Sequence, residues 1–184
     1  MRVISGLYRG LRLRTLKGEL IRPTSDRMRE TLFDVLGDSV QGAYFLDAYA
    51  GTGAVGIEAL SRGARQVVFL ESRRPAAELI RQNLQSVGAA SGFTLLTAEV
   101  ERGIERLEEQ RATFDFAFLD PPYAQIREYH HILRKLGRSS VLSDRSRVIA
   151  EHSRRTLLEH CYSSLVLARL IRHGDSQMAF YHKR

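Results

Sequence analysis

From Ala43 onward the chain alternates short apolar runs with longer stretches of helical period, and no other feature limits its fold so tightly. The runs are AYFLD (43–47), QVVFLE (66–71), FTLLT (93–97), FDFAFLD (114–120) and RVIAEH (147–152). Between them lie residues 53–63, 74–88, 100–110 and 124–138, each placing apolar side chains every three or four positions, as Leu79, Ile80, Leu84 and Val87 do. Repeated strand–helix units of this kind build a mostly parallel sheet. The end changes character: residues 163–184 read as two strands joined at His173-Gly174-Asp175, so the sheet is expected to close with an antiparallel hairpin.

The first 42 residues stand outside the alternation. Residues 2–15 read as two short strands around a glycine-containing turn, with Arg9, Arg12 and Arg14 free to stay in water. A helix is expected from about Thr24, with Pro23 stiffening its entry and Thr24 or Ser25 capping it. Its apolar stripe is Met28, Leu32, Val35 and Leu36, ending at Gly37, with Arg27, Arg29 and Glu30 on the polar margin. A chain of 184 residues, 43% hydrophobic and with four prolines, can bury one core. One domain over 1–184 is the expectation, with 1–42 as an extension of the 43–184 core.

The net charge of +7 is unevenly spread. Residues 1–30 carry eight basic and three acidic side chains, residues 145–184 the same numbers, and residues 31–144 twelve and fifteen. Two basic ends around an acid-leaning middle point to a polyanion at the ends and small-molecule chemistry between them. Of the 28 basic residues 25 are arginine, a bias that explains Arg over Lys but not the clustering.

No apolar run reaches the length of about 20 residues that crosses a bilayer, since Asp47 breaks the best one, and the start MRVISGLYRG lacks a signal peptide's apolar region. A soluble, cytoplasmic protein with no membrane partner is expected. Cys161 is the lone cysteine and is expected to fill space in the core; the six histidines show no metal spacing, so no metal is expected.

Residues 45–56 (FLDAYAGTGAVG) are a strand running into a glycine turn and then a helix. Gly51 and Gly53 permit positive φ and close approach of backbone N–H groups to a ligand, and Gly56 lets the helix pack tightly on the sheet. Glu71 ends the next strand, where a carboxylate can accept from both hydroxyls of a ribose. The plain alternative is a tight strand–helix turn with an incidental acid. The loop also satisfies the pattern of dinucleotide enzymes, but Asp47 closes its strand four residues before Gly51 and would repel a pyrophosphate there. S-adenosylmethionine, with a sulfonium, an ammonium and no phosphate, suits that strand end better than NAD.

A second strand stops at Asp120-Pro121-Pro122-Tyr123. Two prolines remove backbone donors and leave carbonyl acceptors, Asp120 adds a carboxylate and Tyr123 a flat ring. The set fits a planar heterocycle bearing an exocyclic NH2: the acceptors hold both hydrogens, the ring stacks, and Asp120 takes the proton once the nitrogen has attacked a methyl group. The plain alternative is a strand-ending loop with Asp as turn former.

Four segments together, DAYAGTGAVGIEALSRGA, LESRRPAAELIRQNL, DPPY and the leader IRPTSDRMRETLFDVL, resemble the RsmD family, bacterial methyltransferases acting on the exocyclic N2 of one guanine in small-subunit ribosomal RNA. The similarity runs from RVISGLYRG to GDSQMAFY. DPPY is shared with amino-methyltransferases of adenine, guanine and glutamine, whereas the leader RPT-x-x-R-x-R-E-x-L-F points to this family. The resemblance implies a Rossmann-like α/β methyltransferase fold with a mostly parallel seven-stranded sheet, S-adenosylmethionine as donor, and ribosomal RNA, in a small subunit or its precursor, as substrate. It places Asp47, Gly51 and Gly53 along the methionine part of the cofactor, Glu71 at the ribose, Asp120 to Tyr123 at the base, and Thr24 and Arg27 near the cofactor's carboxylate or over the site. After the third strand, where such proteins commonly have Asp, this chain has Ala98-Glu99-Val100, so Glu99 is either the adenine contact or a solvated residue of a helix's first turn.

The reading that follows is methyl transfer to a guanine N2 by in-line attack, by a monomer, with Arg9, Arg12 and Arg14 gripping RNA phosphates. Three rivals stand beside it: an adenine-N6 DNA methyltransferase, a noncatalytic RNA-binding assembly module, and an NAD-linked oxidoreductase.

Overall fold

The computed structural model describes residues 1–15, 26–121 and 126–184, which carry five α-helices and eight strands in two compact units, Met1–Ala98 and Glu99–Arg184. None of the described helices is long and apolar enough to cross a membrane.

The first unit contains α1 (Asp26–Leu36), a 3-10 turn (Gly37–Val40), β1 (Tyr44–Ala48), α2 (Ala54–Ser61), β2 (Gln66–Leu70), α3 (Arg74–Ser86) and β3 (Phe93–Leu96). The three strands are parallel in the order β3-β2-β1. β1 and β2 are buried on both faces through Phe45, Leu46, Ala48, Val67, Phe69 and Leu70, as near-continuous apolar runs require. Every residue of α2 is buried, so this helix has no solvent face. Gly56 makes its approach to the sheet possible, because a Cβ there would lie 2.2 Å from Cε1 of Phe69.

The N-terminal hairpin closes through one antiparallel bridge, Arg2 to Arg12, rather than through two strands. Val3 N donates to Leu11 O at 3.0 Å and Leu13 N to Met1 O at 3.1 Å. Only Val3 and Leu13 are buried, too few apolar side chains to extend a ladder.

Expectations for α1 held in part. Met28, Leu32 and Leu36 are buried, Val35 is half-buried, and Phe33 joins them. Arg29 is a correction: it is fully buried, not marginal. Its Nη2 donates to Arg2 O at 2.7 Å and to Asp26 Oδ1 at 2.9 Å, so the guanidinium fastens the start of the chain to α1. The expected cap, Pro23 to Ser25, lies outside the described residues.

The second unit contains α4 (Val100–Glu109), β4 (Phe114–Leu119), α5 (Ile126–Arg138), β5 (Leu142–Ser153), β6 (Cys161–Tyr162), β7 (Leu165–His173) and β8 (Ser176–Lys183). Its strand order is β4-β5-β8-β7-β6, with β4 and β5 parallel and the others antiparallel. β7 and β8 turn at Gly174-Asp175, where Gly174 has φ 56°, giving the expected hairpin. β5 begins five residues before its apolar run because Ser146 Oγ donates to Phe114 O at 2.6 Å, a polar substitute for ladder bonds. Cys161 corrects the core expectation, being exposed. It sits on a two-residue edge strand whose side chains alternate, and Tyr162 takes the inward place.

Candidate active site

In the first unit, the turn after β1 is unusual in its backbone. Tyr49, Gly51 and Gly53 have φ of 66°, 55° and 76°, three left-handed residues in five. This curls the chain so that Gly53 N donates to Ala50 O at 2.7 Å and α2 starts at once. A Cβ on Gly51 would meet nothing nearer than Tyr49 O at 3.9 Å, so that face of the turn is open.

Two carboxylates hold the turn. Asp47 is buried and accepts from Gly56 N at 2.8 Å, in the first turn of α2. Glu71, one residue past β2, accepts from Gly51 N at 2.9 Å and from Arg73 N at 2.9 Å. Parallel register sets Asp47 beside Phe69 and Ala48 beside Leu70, so both acids sit at the carboxyl edge of adjacent strands. Burial pushes the Asp47 carboxyl up to about 7; the Gly56 N–H opposes the shift and the neighbouring Glu71 charge adds to it. Glu71 is balanced in part by Arg73 Nε at 3.4 Å, so it is the Asp47 carboxylate, made costly by burial and by the Glu71 charge, that a cationic ligand would favour and a phosphate would oppose.

In the second unit, β4 is buried on both faces from Phe116 to Leu119 and delivers Asp120, half-buried, at its carboxyl end. Pro121 is buried. The Tyr129 hydroxyl, on α5, lies 3.1 Å from Pro121 O and 2.7 Å from Glu151 O, sharing its one proton between these carbonyls. Tyr129 thereby fixes the direction of the Pro121 carbonyl. Only its place on α5's apolar stripe was visible in the sequence, where a hydroxyl among Ile132, Leu133 and Leu136 must find a partner.

Glu99 is exposed at the N-cap of α4 and makes no side-chain cap bond. Arg27 is exposed on α1. Thr24, Pro122 and Tyr123 lie outside the described residues. Arg9, Arg12 and Arg14 are all exposed on the N-terminal hairpin.

That hairpin is tied down by residues the sequence reading passed over. Glu58, fully buried on α2, accepts from Ile4 N at 2.8 Å and Ser5 N at 3.0 Å, while Ser61 Oγ accepts from Tyr8 N at 2.9 Å. Asn83, fully buried on α3, accepts from Arg14 N at 2.8 Å and donates to Thr52 O at 2.9 Å. The available signal was a polar side chain inside a buried stripe: Asn83 follows Leu79 and Ile80 at helical spacing.

The family model described as "Conserved hypothetical protein 95" matches residues 1–182. The chain belongs to this family, the RsmD family. It is 38% identical over 123 residues to ribosomal RNA small subunit methyltransferase D of Haemophilus influenzae, covering 67% of this chain and 64% of that protein. It is 32% identical over 184 residues to YlbH of Bacillus subtilis, provisionally named an rRNA methyltransferase, covering all of both. Among solved structures, a provisionally named methyltransferase of Escherichia coli superposes with TM-score 0.86 at 25% identity, covering 100% of this chain and 98% of that one. The fold is therefore the Rossmann-like fold of S-adenosylmethionine-dependent methyltransferases, with β6 as a short eighth strand beside the expected seven. Family, relatives and fold agree on an enzyme of the methyltransferase class.

Proposed function

We propose that this RsmD-family chain methylates small-subunit ribosomal RNA with S-adenosylmethionine, at the exocyclic N2 of a guanine. The observation that carries the donor is the buried carboxylate pair Asp47 and Glu71 around an open glycine turn, an anionic setting that suits a sulfonium and an ammonium. Gly51 and Gly53 line the methionine part in this reading, Glu71 meets the ribose, and Thr24 and Arg27 lie near the cofactor's carboxylate. When bound, S-adenosylmethionine supplies the electrophilic methyl group.

The chain's own part is to hold the base amino group. Asp120 and the Pro121 carbonyl accept its two hydrogens, which keeps the lone pair directed out of the ring plane, and Asp120 then carries away one proton. Tyr123 stacks on the base, which must be unpaired or flipped to be reached. Positioning of this kind contributes about 7–11 kcal/mol in well-oriented reactions. The exposed Glu99 at the start of α4 is the contact for the adenine amino group in this reading. Both units serve one methyltransferase domain, acting as a monomer on RNA within the small subunit or its precursor.

The test is transfer of labelled methyl to 16S rRNA, small subunits and duplex DNA in parallel, followed by nucleoside analysis. N2-methylguanosine in the RNA is the expected product, and N6-methyladenine would overturn the substrate. Asp120→Ala should abolish transfer while S-adenosylmethionine still binds in calorimetry. An active variant would remove Asp120 from the mechanism.

A further inference from the structure

The basic charge of residues 145–184 is sorted by position within the second unit. Lys183 Nζ donates to Ser139 O and Leu142 O, each at 2.8 Å, and Arg147 lies over the Phe116 ring at 5.9 Å. Those two are structural, and Arg145 sits near the start of β5, at the sheet edge away from Asp120. Arg154, Arg155 and Arg172 are placed otherwise.

β5 runs parallel to β4, with Leu119 beside Ala150, and continues to Ser153 at the edge where β4 delivers Asp120. Ser153 pairs with Ser176 and Ser176 with His173, so the end of β5 and the β7–β8 turn lie abreast. Arg154 fastens them: its N donates to Asp175 O at 2.9 Å and its Nη1 to Gly174 O at 3.3 Å. Arg172 pairs with Gln177, which pairs with His152. From β5 through β8 to β7 is two strand spacings, about 10 Å, the rise of about three stacked nucleotides.

Arg154, Arg155 and Arg172 are exposed, and among the described residues none of them is ion-paired. Asp175 is the one acid in residues 152–158 and 171–177. Held backbone, exposed guanidinium groups without carboxylate partners among the described residues, and no Phe, Tyr or Trp in these segments describe a surface for phosphates rather than for bases.

We propose that Arg154, Arg155 and Arg172, with His173 beside them, form a phosphate-binding rail that carries the RNA strand on one side of the base presented to Asp120, the side of β5, β8 and β7. The rail rests on the methyl-transfer reading for its partner, and it gives the basic tail a role separate from that of Arg9, Arg12 and Arg14.

The experiment compares the double variant Arg154→Glu/Arg172→Glu with Arg145→Glu/Arg184→Glu, which changes net charge equally away from the rail. Initial rates on small subunits are taken over a series of salt concentrations, and binding of a fluorescent 16S rRNA fragment is measured separately. The rail variant should raise KM at least tenfold with kcat and S-adenosylmethionine affinity retained. Its log–log salt slope should fall by about 1.4–1.8, as expected for two lost phosphate contacts. The control should stay within twofold of the parent. Equal effects of the two variants, or none from either, would overturn the rail. RNA binding that depends on the rail in a protein that transfers no methyl would keep the rail and overturn the enzymatic reading instead.

Discussion

Asp47→Asn isolates the electrostatic cost of the donor site. In the wild type the carboxyl is pushed up to about 7 by burial, against an ordinary value of 3.8. At 1.36 kcal/mol per pH unit, that difference amounts to roughly 4 kcal/mol. Because the folded value lies above the unfolded one, the native state holds a proton that the unfolded chain releases between these two values. The contribution is complete below about pH 4 and is lost as pH rises through 7. The substituted amide keeps an oxygen to accept from Gly56 N–H but carries no charge at any pH. The stability of the wild type relative to Asp47→Asn, measured by urea unfolding from pH 4 to 8, should therefore fall by up to roughly 4 kcal/mol across that range. Taking the difference cancels histidines and other groups common to both proteins. The ligand side has the opposite sign: a cation beside Asp47 favours the carboxylate, so S-adenosylmethionine binding should strengthen as pH rises from 5 to 7, by up to about tenfold per unit, with release of a proton. Calorimetry in buffers of different ionisation enthalpy reads that proton directly. If the stability difference is flat with pH, or Asp47→Asn binds the cofactor with unchanged pH dependence, the buried-acid account of this site is wrong.

Gly56, in the first turn of α2, and Gly51, in the turn before it, should fail in different ways. Gly56→Ala drives a Cβ to 2.2 Å from Phe69 and should destabilise by about 1–3 kcal/mol, read as a lowered Tm, whereas Gly51→Ala, with open space but φ 55°, should cost about 1–2 kcal/mol and weaken S-adenosylmethionine binding more than stability. The same ranking in both assays would contradict this division. Tyr129→Phe removes the proton shared by Pro121 O and Glu151 O; kcat should fall about tenfold, the equivalent of one hydrogen bond, with cofactor affinity unchanged, and an undiminished kcat would show that the Pro121 carbonyl needs no support. Asn83→Leu leaves Thr52 O without its donor and releases Arg14 N; trypsin should cut at Arg9, Arg12 and Arg14 at least tenfold faster, and wild-type resistance would mean the hairpin is held by its other contacts.

The strand–helix alternation, the closing hairpin and the two carboxylate-bearing strand ends were legible because each follows from local rules: apolar runs bury, glycine admits positive φ, and prolines end strands. What escaped depends on pairing over long sequence distance. Arg29 reads as a helix-margin cation until Arg2 O, 27 positions away, is known to need a donor. Nothing local marks Glu58 as buried, because the N–H groups it accepts from arrive from residues 4 and 5, more than fifty positions away. Cys161 reads as core because cysteine is so often buried, yet a two-residue edge strand offers just one inward place, and Tyr162 holds it.

The uneven charge of the chain has the same resolution. Several of its acids face inward to backbone: Glu58 to Ile4 and Ser5, Asp47 to Gly56, Glu71 to Gly51 and Arg73. Each trades hydration for fixed N–H donors, so the acid-leaning middle includes anchors that pin the hairpin and shape the glycine turn. The basic ends are thinned likewise, since Arg29 and Lys183 are spent on carbonyl oxygens. Two sets of exposed arginines stand on supported backbone: Arg9, Arg12 and Arg14 on a hairpin held by Glu58, Ser61 and Asn83, and Arg154, Arg155 and Arg172 around the β7–β8 turn. A flexible cation loses entropy when it meets a phosphate, and one presented from a fixed backbone loses less. Reversing the charge of both sets should therefore cost RNA affinity in a filter-binding assay, whereas reversing an equal number of arginines elsewhere on the surface should not.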